Sequence, residues 1–325
     1  MTVQCFSENL SEEKLHQTPC VLLTGGFDGL HAGHKALIEK AKQYRLPIGV
    51  MSITGGKGEP LFTVPEREEI FFRAGADFCF FLAFEKIKRF SPEEFCSLLL
   101  DRFCVQAFVC GEDFRFGKDA HGTPETLKKQ TGKETAVMPL VFKDGEKVGS
   151  TAVKRAILNK DLPTANLLLG ETFFLKGEVR KDRGVGRTLG FPTANISYPN
   201  GKYPLPLGVY ETETEVDGKI YRGITNYGAR PTFSNGTVVT ETYLDGFTGD
   251  LYGKTLSVRF VRFLRETVRF DGVEELKERL KKDVRRVREN DKIWTERKQR
   301  ELFCGRVIAY GRGGGVCQKQ KFRLL

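Results

Sequence analysis

Apolar and polar positions follow two different rhythms along this chain, and the change falls near residue 150. Upstream of it, short apolar runs alternate with segments at helical spacing. The run over 20–23 ends in TGGFDG, which predicts a buried strand closed by a tight glycine turn. HKALIEKAKQY at 34–44 then places apolar residues on one helical face. The same alternation predicts strands over 46–53, 78–84, 107–110 and 136–142, and helices over 65–74 and 92–102. Ser91 suits the N-cap of the second of these helices, with Pro92 at its first position. Strands separated by helices imply a parallel sheet.

Downstream, Ser150 can cap a helix through Leu158, and a second helical stretch runs to about Leu169. After Thr172 the segments FFLKGEVR, GVYETETEV, KIYRGITNY, TVVTETYLD and KTLSVRFVRFL read as strands punctuated by Gly, Pro and Asn. That rhythm predicts a small antiparallel barrel. VEELKERLKKDVRRVRE at 273–289 returns to helical spacing. The expected organisation is an α/β domain over 1–170, a barrel domain with a closing helix over 171–290, and a basic tail over 291–325. The tail reads as a disordered extension, an added helix, or sequence foreign to the fold.

Composition narrows the setting. The 325 residues give room for two cores, and 40% apolar with 29% charged residues is a globular balance. No uncharged apolar run reaches about 18 residues, so no membrane span is expected. MTVQCFSENLSEEKLHQ lacks the basic start and apolar stretch of a secretory leader. The eight cysteines show no CxxC pair and no zinc spacing, and several lie in apolar runs such as FVCGE. They read as reduced thiols of a cytoplasmic protein. The net charge of +10 suits phosphate-bearing partners, either nucleotides or nucleic acid, although part of it belongs to the tail.

Two segments carry candidate chemistry. In GGFDGLHAGH, His31 and His34 sit where a strand and glycine turn feed a helix. Free backbone N–H groups and the helix dipole favour anions at such an end. Gly25, Gly26, Gly29 and Gly33 let a ligand approach the backbone closely. In GEVRKDRGVGRTLGFPTAN at 177–195, glycines and cations precede Pro192, Thr193 and Asn195. Thr193 and Asn195 alternate in an extended segment and so share a face. Their oxygens are hard ligands suited to magnesium shared with ATP phosphates.

GGFDGLHAGH resembles the signature of the prokaryotic bifunctional riboflavin kinase/FAD synthetase (FMN adenylyltransferase) family, within the wider HxGH nucleotidyltransferases. VCGEDFRFGKDAHGT at 109–123 and GSTAVKRAIL at 149–158 are similar to two further segments of that family. So are GRTLGFPTAN, LPLGVY at 205–210, NYGARPTF at 226–233, and FTGDLYGKTLSVRFVRFLRETVRF at 247–270. In all, the likeness covers roughly residues 15–290. Lys154 stands where the family has Arg, with Arg155 beside it, and 51–63 lacks the family's FxPHP-like loop.

The resemblance implies a Rossmann-like α/β nucleotidyltransferase domain followed by a small antiparallel β-barrel riboflavin kinase domain. It implies ATP, riboflavin and FMN as substrates and Mg2+ as cofactor; no aromatic-stacking RNA motif is visible, so a nucleic-acid partner is not expected. For ATP it implies Gly26, Phe27, Asp28, Gly33, Ser150, Thr151, Lys154, Gly186 and Arg187. Asp113, Phe114 and Arg265 are implied at the flavin, and Thr193 and Asn195 at the metal. His31 and His34 are implied in adenylyl transfer, and Glu241 as the base that activates riboflavin's hydroxyl. Two rival readings follow from the departures and the charge. One is an active kinase with a degenerate nucleotide-binding first half. The other is a flavin-responsive RNA-binding regulator.

Overall fold

The computed structural model describes residues 4–7, 16–56, 58–181, 186, 190–229 and 238–289. The 291–325 tail, Arg187 and most of the glycine-rich approach to Thr193 lie outside these described residues.

The alternating first half forms a six-stranded parallel sheet. In chain order it runs β1 (Gln4–Ser7), β2 (His16–Thr24), α1 (Ala32–Lys42), β3 (Ile48–Thr54), α2 (Val64–Ala74) and β4 (Phe78–Ala83). Then come α3 (Phe84–Ile87), α4 (Pro92–Arg102), β5 (Phe103–Gly111), α5 (Pro124–Thr131) and β6 (Glu134–Met138). The spatial order is β1-β4-β3-β2-β5-β6. From β2 the chain winds one way through β3 and β4, and the other way through β5 and β6. The sheet therefore has a switch point between β2 and β5, where open α/β sheets bind ligands beyond their carboxyl ends. Strand β2 feeds both faces: Val21 and Leu23 join one apolar cluster, and Cys20 and Leu22 the other.

Three details differ from the sequence reading. The strand expected over 136–142 ends at Met138, because Pro139 has no N–H for the ladder. Beyond it, β7 (Phe142–Lys143) and β8 (Glu146–Lys147) form a separate hairpin. Asp144 and Gly145, at φ 50° and 81°, make its two-residue turn. Ser150 is the first residue of α6 (Ser150–Leu158), not its cap, and Gly149 holds the cap position in extended backbone.

Helix α7 (Leu162–Leu169) ends at Gly170, φ 65°, a left-handed cap. The second half is a closed antiparallel barrel, ordered β10-β13-β12-β11-β14-β9. Its strands are β9 (Phe174–Arg180), β10 (Thr193–Ser197), β11 (Gly208–Val216), β12 (Lys219–Ala229), β13 (Val238–Leu244) and β14 (Thr255–Arg265). Helix α8 (Val273–Glu289) packs Val284 and Val287 on the outer face of the barrel. One apolar cluster runs from α1 and α2 through α6 and α7 into the barrel interior. Asn166 fastens the junction: its amide donates to the Phe260 carbonyl at 2.9 Å and its oxygen accepts from Phe173 N–H at 2.7 Å.

Candidate functional site

A cleft of about 1040 Å³ opens at the switch point. The turn after β2 lines it, with Gly111 at the end of β5, Asp113 just beyond it and the start of α6. Two helices aim their N-termini at it, α1 through His31 and Gly33 and α6 through Ser150 and Thr151. Neither has a side-chain cap or an acidic residue in its first turn. By contrast, α4, α5 and α7 are capped by Ser91, Thr123 and Asp161, and Glu66 accepts the Thr63 N–H at the start of α2. The orphan N–H groups and positive dipole ends of α1 and α6 thus converge where an anion can complete them.

His31 and His34 stack with centroids 3.6 Å apart. Gly33 makes room for this: a Cβ there would lie 3.2 Å from the His31 ring. His34 Nδ1 is 2.8 Å from the Gly29 carbonyl, which only accepts, so Nδ1 donates and Nε2 keeps its lone pair. His31 Nδ1 is buried without a hydrogen-bond partner. Burial pushes the His31 imidazole down to about 4, opposed by Asp113 and reinforced by Lys147. Burial and the stacked His31 also hold His34 well below the ordinary imidazole range. Both rings are thus held toward the neutral form, and phosphate charge beside them would raise their proton affinity.

The other expected residues divide. Gly26, Phe27, Gly33, Asp113, Phe114, Ser150 and Thr151 all line the cleft. Asp28 lines it too, yet its carboxylate accepts from Leu61 N–H at 2.7 Å and stands 3.3 Å from Lys154 Nζ. Burial raises the Asp28 pKa, and Lys154 opposes the shift. Lys154 also donates to the Glu59 carbonyl at 2.7 Å, so its ammonium staples the 59–61 loop to the turn. Arg155 pairs with Glu146 on the exposed side of α6.

Lys88, Arg115 and Lys147 bring cations to the mouth, and of these Lys147, on the β7–β8 hairpin, adjoins the start of α6. It lines the cleft, pairs with Asp113, and is 47% exposed and so reachable by phosphate. Its sequence context, DGEKVG, gave one usable signal: a hairpin turn delivers it directly to the start of α6. Arg67 also lines the cleft and is 2% exposed. Nothing in its local sequence marks it, because its burial depends on the β3–α2 packing.

A second constellation lies on the outer face of the barrel. In β10, Ala194 and Ile196 point into the core while Thr193 and Asn195 face outward, half-buried. The β10–β13 register sets Asn195 opposite Glu241 and Thr193 opposite Tyr243. Directly paired residues share a face, so Thr193, Asn195 and Glu241 form one cluster. Gly186 approaches it closely: a Cβ there would lie 2.4 Å from the Phe191 carbonyl and 3.2 Å from Thr193 Oγ1. Arg265, expected near the flavin, donates to Asp283 Oδ2 at 2.7 and 2.9 Å and latches α8 to the barrel. Among the described residues, no group of three or more His, Cys, Asp or Glu is arranged for a metal. A hydroxyl and an amide oxygen beside one carboxylate are another kind of donor set, and they fit magnesium when phosphates complete its shell.

Comparison with known proteins falls on these two constellations. A FAD synthetase family model matches residues 13–152 and a riboflavin kinase family model matches residues 169–290. The chain is 32% identical to a bifunctional riboflavin kinase/FMN adenylyltransferase of Bacillus subtilis, covering 83% of this chain and 92% of that one. It is 34% identical to the protein of the same name from Pseudomonas fluorescens, covering 82% and 91%. A solved Streptococcus pneumoniae structure, described as a macrolide-efflux protein, shares the fold at TM-score 0.77 and 28% identity. It covers 87% of this chain and 98% of that one. No described helix here is long and apolar enough to cross a membrane. With an anion cradle on an α/β sheet, a hydroxyl–amide–carboxylate cluster on a closed barrel, and such relatives along most of its length, the chain belongs to the bifunctional riboflavin kinase/FMN adenylyltransferase family.

Proposed function

We propose a division of labour between the two constellations of this enzyme, which phosphorylates riboflavin with ATP to FMN and then adenylylates FMN with ATP to FAD and pyrophosphate. Residues 1–170 carry the adenylyl transfer, 171–290 carry the kinase, and 291–325 form a tail outside both.

In the kinase half, Thr193 and Asn195 hold a magnesium ion that, when bound, neutralises phosphate charge. Gly186 borders the ATP phosphates, and Arg187 keeps the ATP role that the resemblance implies for it. Glu241 takes the proton from riboflavin's ribityl hydroxyl, which attacks the γ-phosphate to give FMN and ADP. Its place across the strand pair from Asn195 supports this role.

In the adenylyltransferase half, the FMN phosphate attacks the α-phosphate of ATP. It is already an anion, so no protein base is needed. His31 and His34, protonated once phosphate charge sits beside them, donate to the charge developing at the α-phosphate. Ser150, Thr151 and the α6 N-terminus hold the departing pyrophosphate, and Lys147 supplies the cation expected of Lys154. Lys154 and Asp28 instead shape the wall of the cleft. Asp113 and Phe114 border the flavin side.

The observation that carries this half is the convergence of two uncapped helix N-termini on a stacked histidine pair. That arrangement, with Lys147 beside it, speaks against a degenerate first half. Cytoplasmic residence is part of the same reading, supported by free thiols at Cys20, Cys79, Cys96, Cys104 and Cys110. Incubation with FMN, ATP and magnesium tests it. FAD and pyrophosphate are expected in equal amounts, and absence of FAD from the folded protein refutes it.

A further inference from the structure

The turn that holds the histidine pair is strained. Phe27 has φ 41°, unusual for a bulky residue, and its ring is buried. Such a conformation persists only where the surroundings over-determine it. The surroundings here are polar and buried. Ser52 Oγ is 3.1 Å from the Phe27 carbonyl and 3.3 Å from the Gly26 carbonyl. Ile53 N–H donates to the Gly26 carbonyl at 3.2 Å. Arg67 Nη1 donates to Ser52 Oγ and to the Ile53 carbonyl, both at 2.9 Å.

The direction of this chain is fixed. Arg67 only donates, so it takes a lone pair of the Ser52 hydroxyl. The single hydroxyl proton is then left for the carbonyls of the turn. A charged donor strengthens the next bond in line. The Phe27 ring, so held, packs 4.4 Å from His34 and edge-on to Phe71. His34 is thereby located from two sides, by the Phe27 ring and by the Gly29 carbonyl.

We propose that Arg67 and Ser52 are positioning residues for adenylyl transfer: their hydrogen-bond chain fixes the strained Phe27 turn and, through the Phe27 ring, sets His34 against His31. This rests on the histidine turn being the adenylyl-transfer site. Both bonds leave one nitrogen, and what lysine lacks is the planar guanidinium, whose carbon lies over the Phe81 ring at 5.4 Å and so fixes where that nitrogen sits.

The test uses the full chain with Ser52→Ala and Arg67→Lys, each assayed for both reactions. The kinase reports folding, since neither residue belongs to it. A catalytic group displaced by 1 Å loses about 10²-fold. FAD formation from FMN should therefore fall in kcat by about 10–100-fold, with FMN formation from riboflavin kept. The His34 ring resonances, easily assigned among four histidines, should shift in both variants. Unchanged FAD formation, unmoved His34 resonances, or an equal loss of both reactions in either variant overturns the proposal. A wild-type protein that makes no FAD overturns the site reading and this inference with it.

Discussion

Lys202 belongs to the barrel half of the chain, yet its ammonium is buried against the other half. Its side chain and that of Glu66 are both 0% exposed, with Nζ 2.6 Å from the Glu66 carboxylate and 2.9 Å from the Leu61 carbonyl. The rings of Phe62 and Phe173 each lie 4.6 Å from Nζ. Burial lowers the Lys202 pKa to about 8, opposed by Glu66, so it stays charged at neutral pH. Glu66 accepts two further bonds, from Thr63 N–H at 2.8 Å and Lys176 N–H at 2.9 Å. Lys202→Met would leave that carboxylate buried with backbone donors alone. Removing one member of a buried pair costs about 3–5 kcal/mol, whereas replacing both is often close to neutral. At about 2–4 °C per kcal/mol for chains of this order, the melting temperature should fall by about 6–20 °C. Glu66→Gln/Lys202→Met should recover at least half of that loss. Thermal unfolding of the wild type, both single variants and the double closes the cycle. A Lys202→Met melting temperature equal to wild type, or a double variant no better than Lys202→Met, would refute this account of domain docking.

Lys147→Ala removes a charge-assisted phosphate bond of about 1.5–3 kcal/mol, so kcat/KM for ATP in FAD formation should fall about 10–150-fold. The same kinetics on Lys154→Ala should show the smaller loss. Gly186→Ala forces a methyl against Phe191 and Thr193. FMN formation should fall by about 10²-fold while FAD formation from supplied FMN is unchanged, checked by chromatography of both products. The histidine pair makes the ligand-free protein acid-labile. Folded pKa values below the unfolded 6.5 mean that the unfolded chain binds more protons. Stability from these groups is full above about pH 6.5 and is lost as pH falls toward the His31 value of about 4. Thermal scans across that window should fall less steeply for His31→Asn/His34→Asn than for wild type.

Much of this was legible in the sequence because it is local. A glycine turn between an apolar run and a helical face announced the β2–α1 anion cradle. Alternation in GFPTAN put Thr193 and Asn195 on one face, and β10 keeps them there. The missing parts depend on tertiary packing. Lys154 has the sequence position of a phosphate ligand, but Asp28 and the Glu59 carbonyl lie within its reach and take the ammonium. Arg67, Glu66 and Lys202 sit in segments that read as an ordinary helix face and a surface loop. Only the docking of α2 against β3 and the barrel buries them. Arg265 lies on a charged strand edge, and its partner Asp283 is brought to it by a helix 18 residues away.

The central claim is that two separate sites perform two reactions in one chain. Assaying Glu241→Gln and His31→Ala in parallel, each with riboflavin and then with FMN as the flavin supplied with ATP and magnesium, tests it most directly. Glu241→Gln should make no FMN from riboflavin while converting FMN to FAD at the wild-type rate. His31→Ala should accumulate FMN from riboflavin and make no FAD. Loss of both reactions in either folded variant would contradict the account.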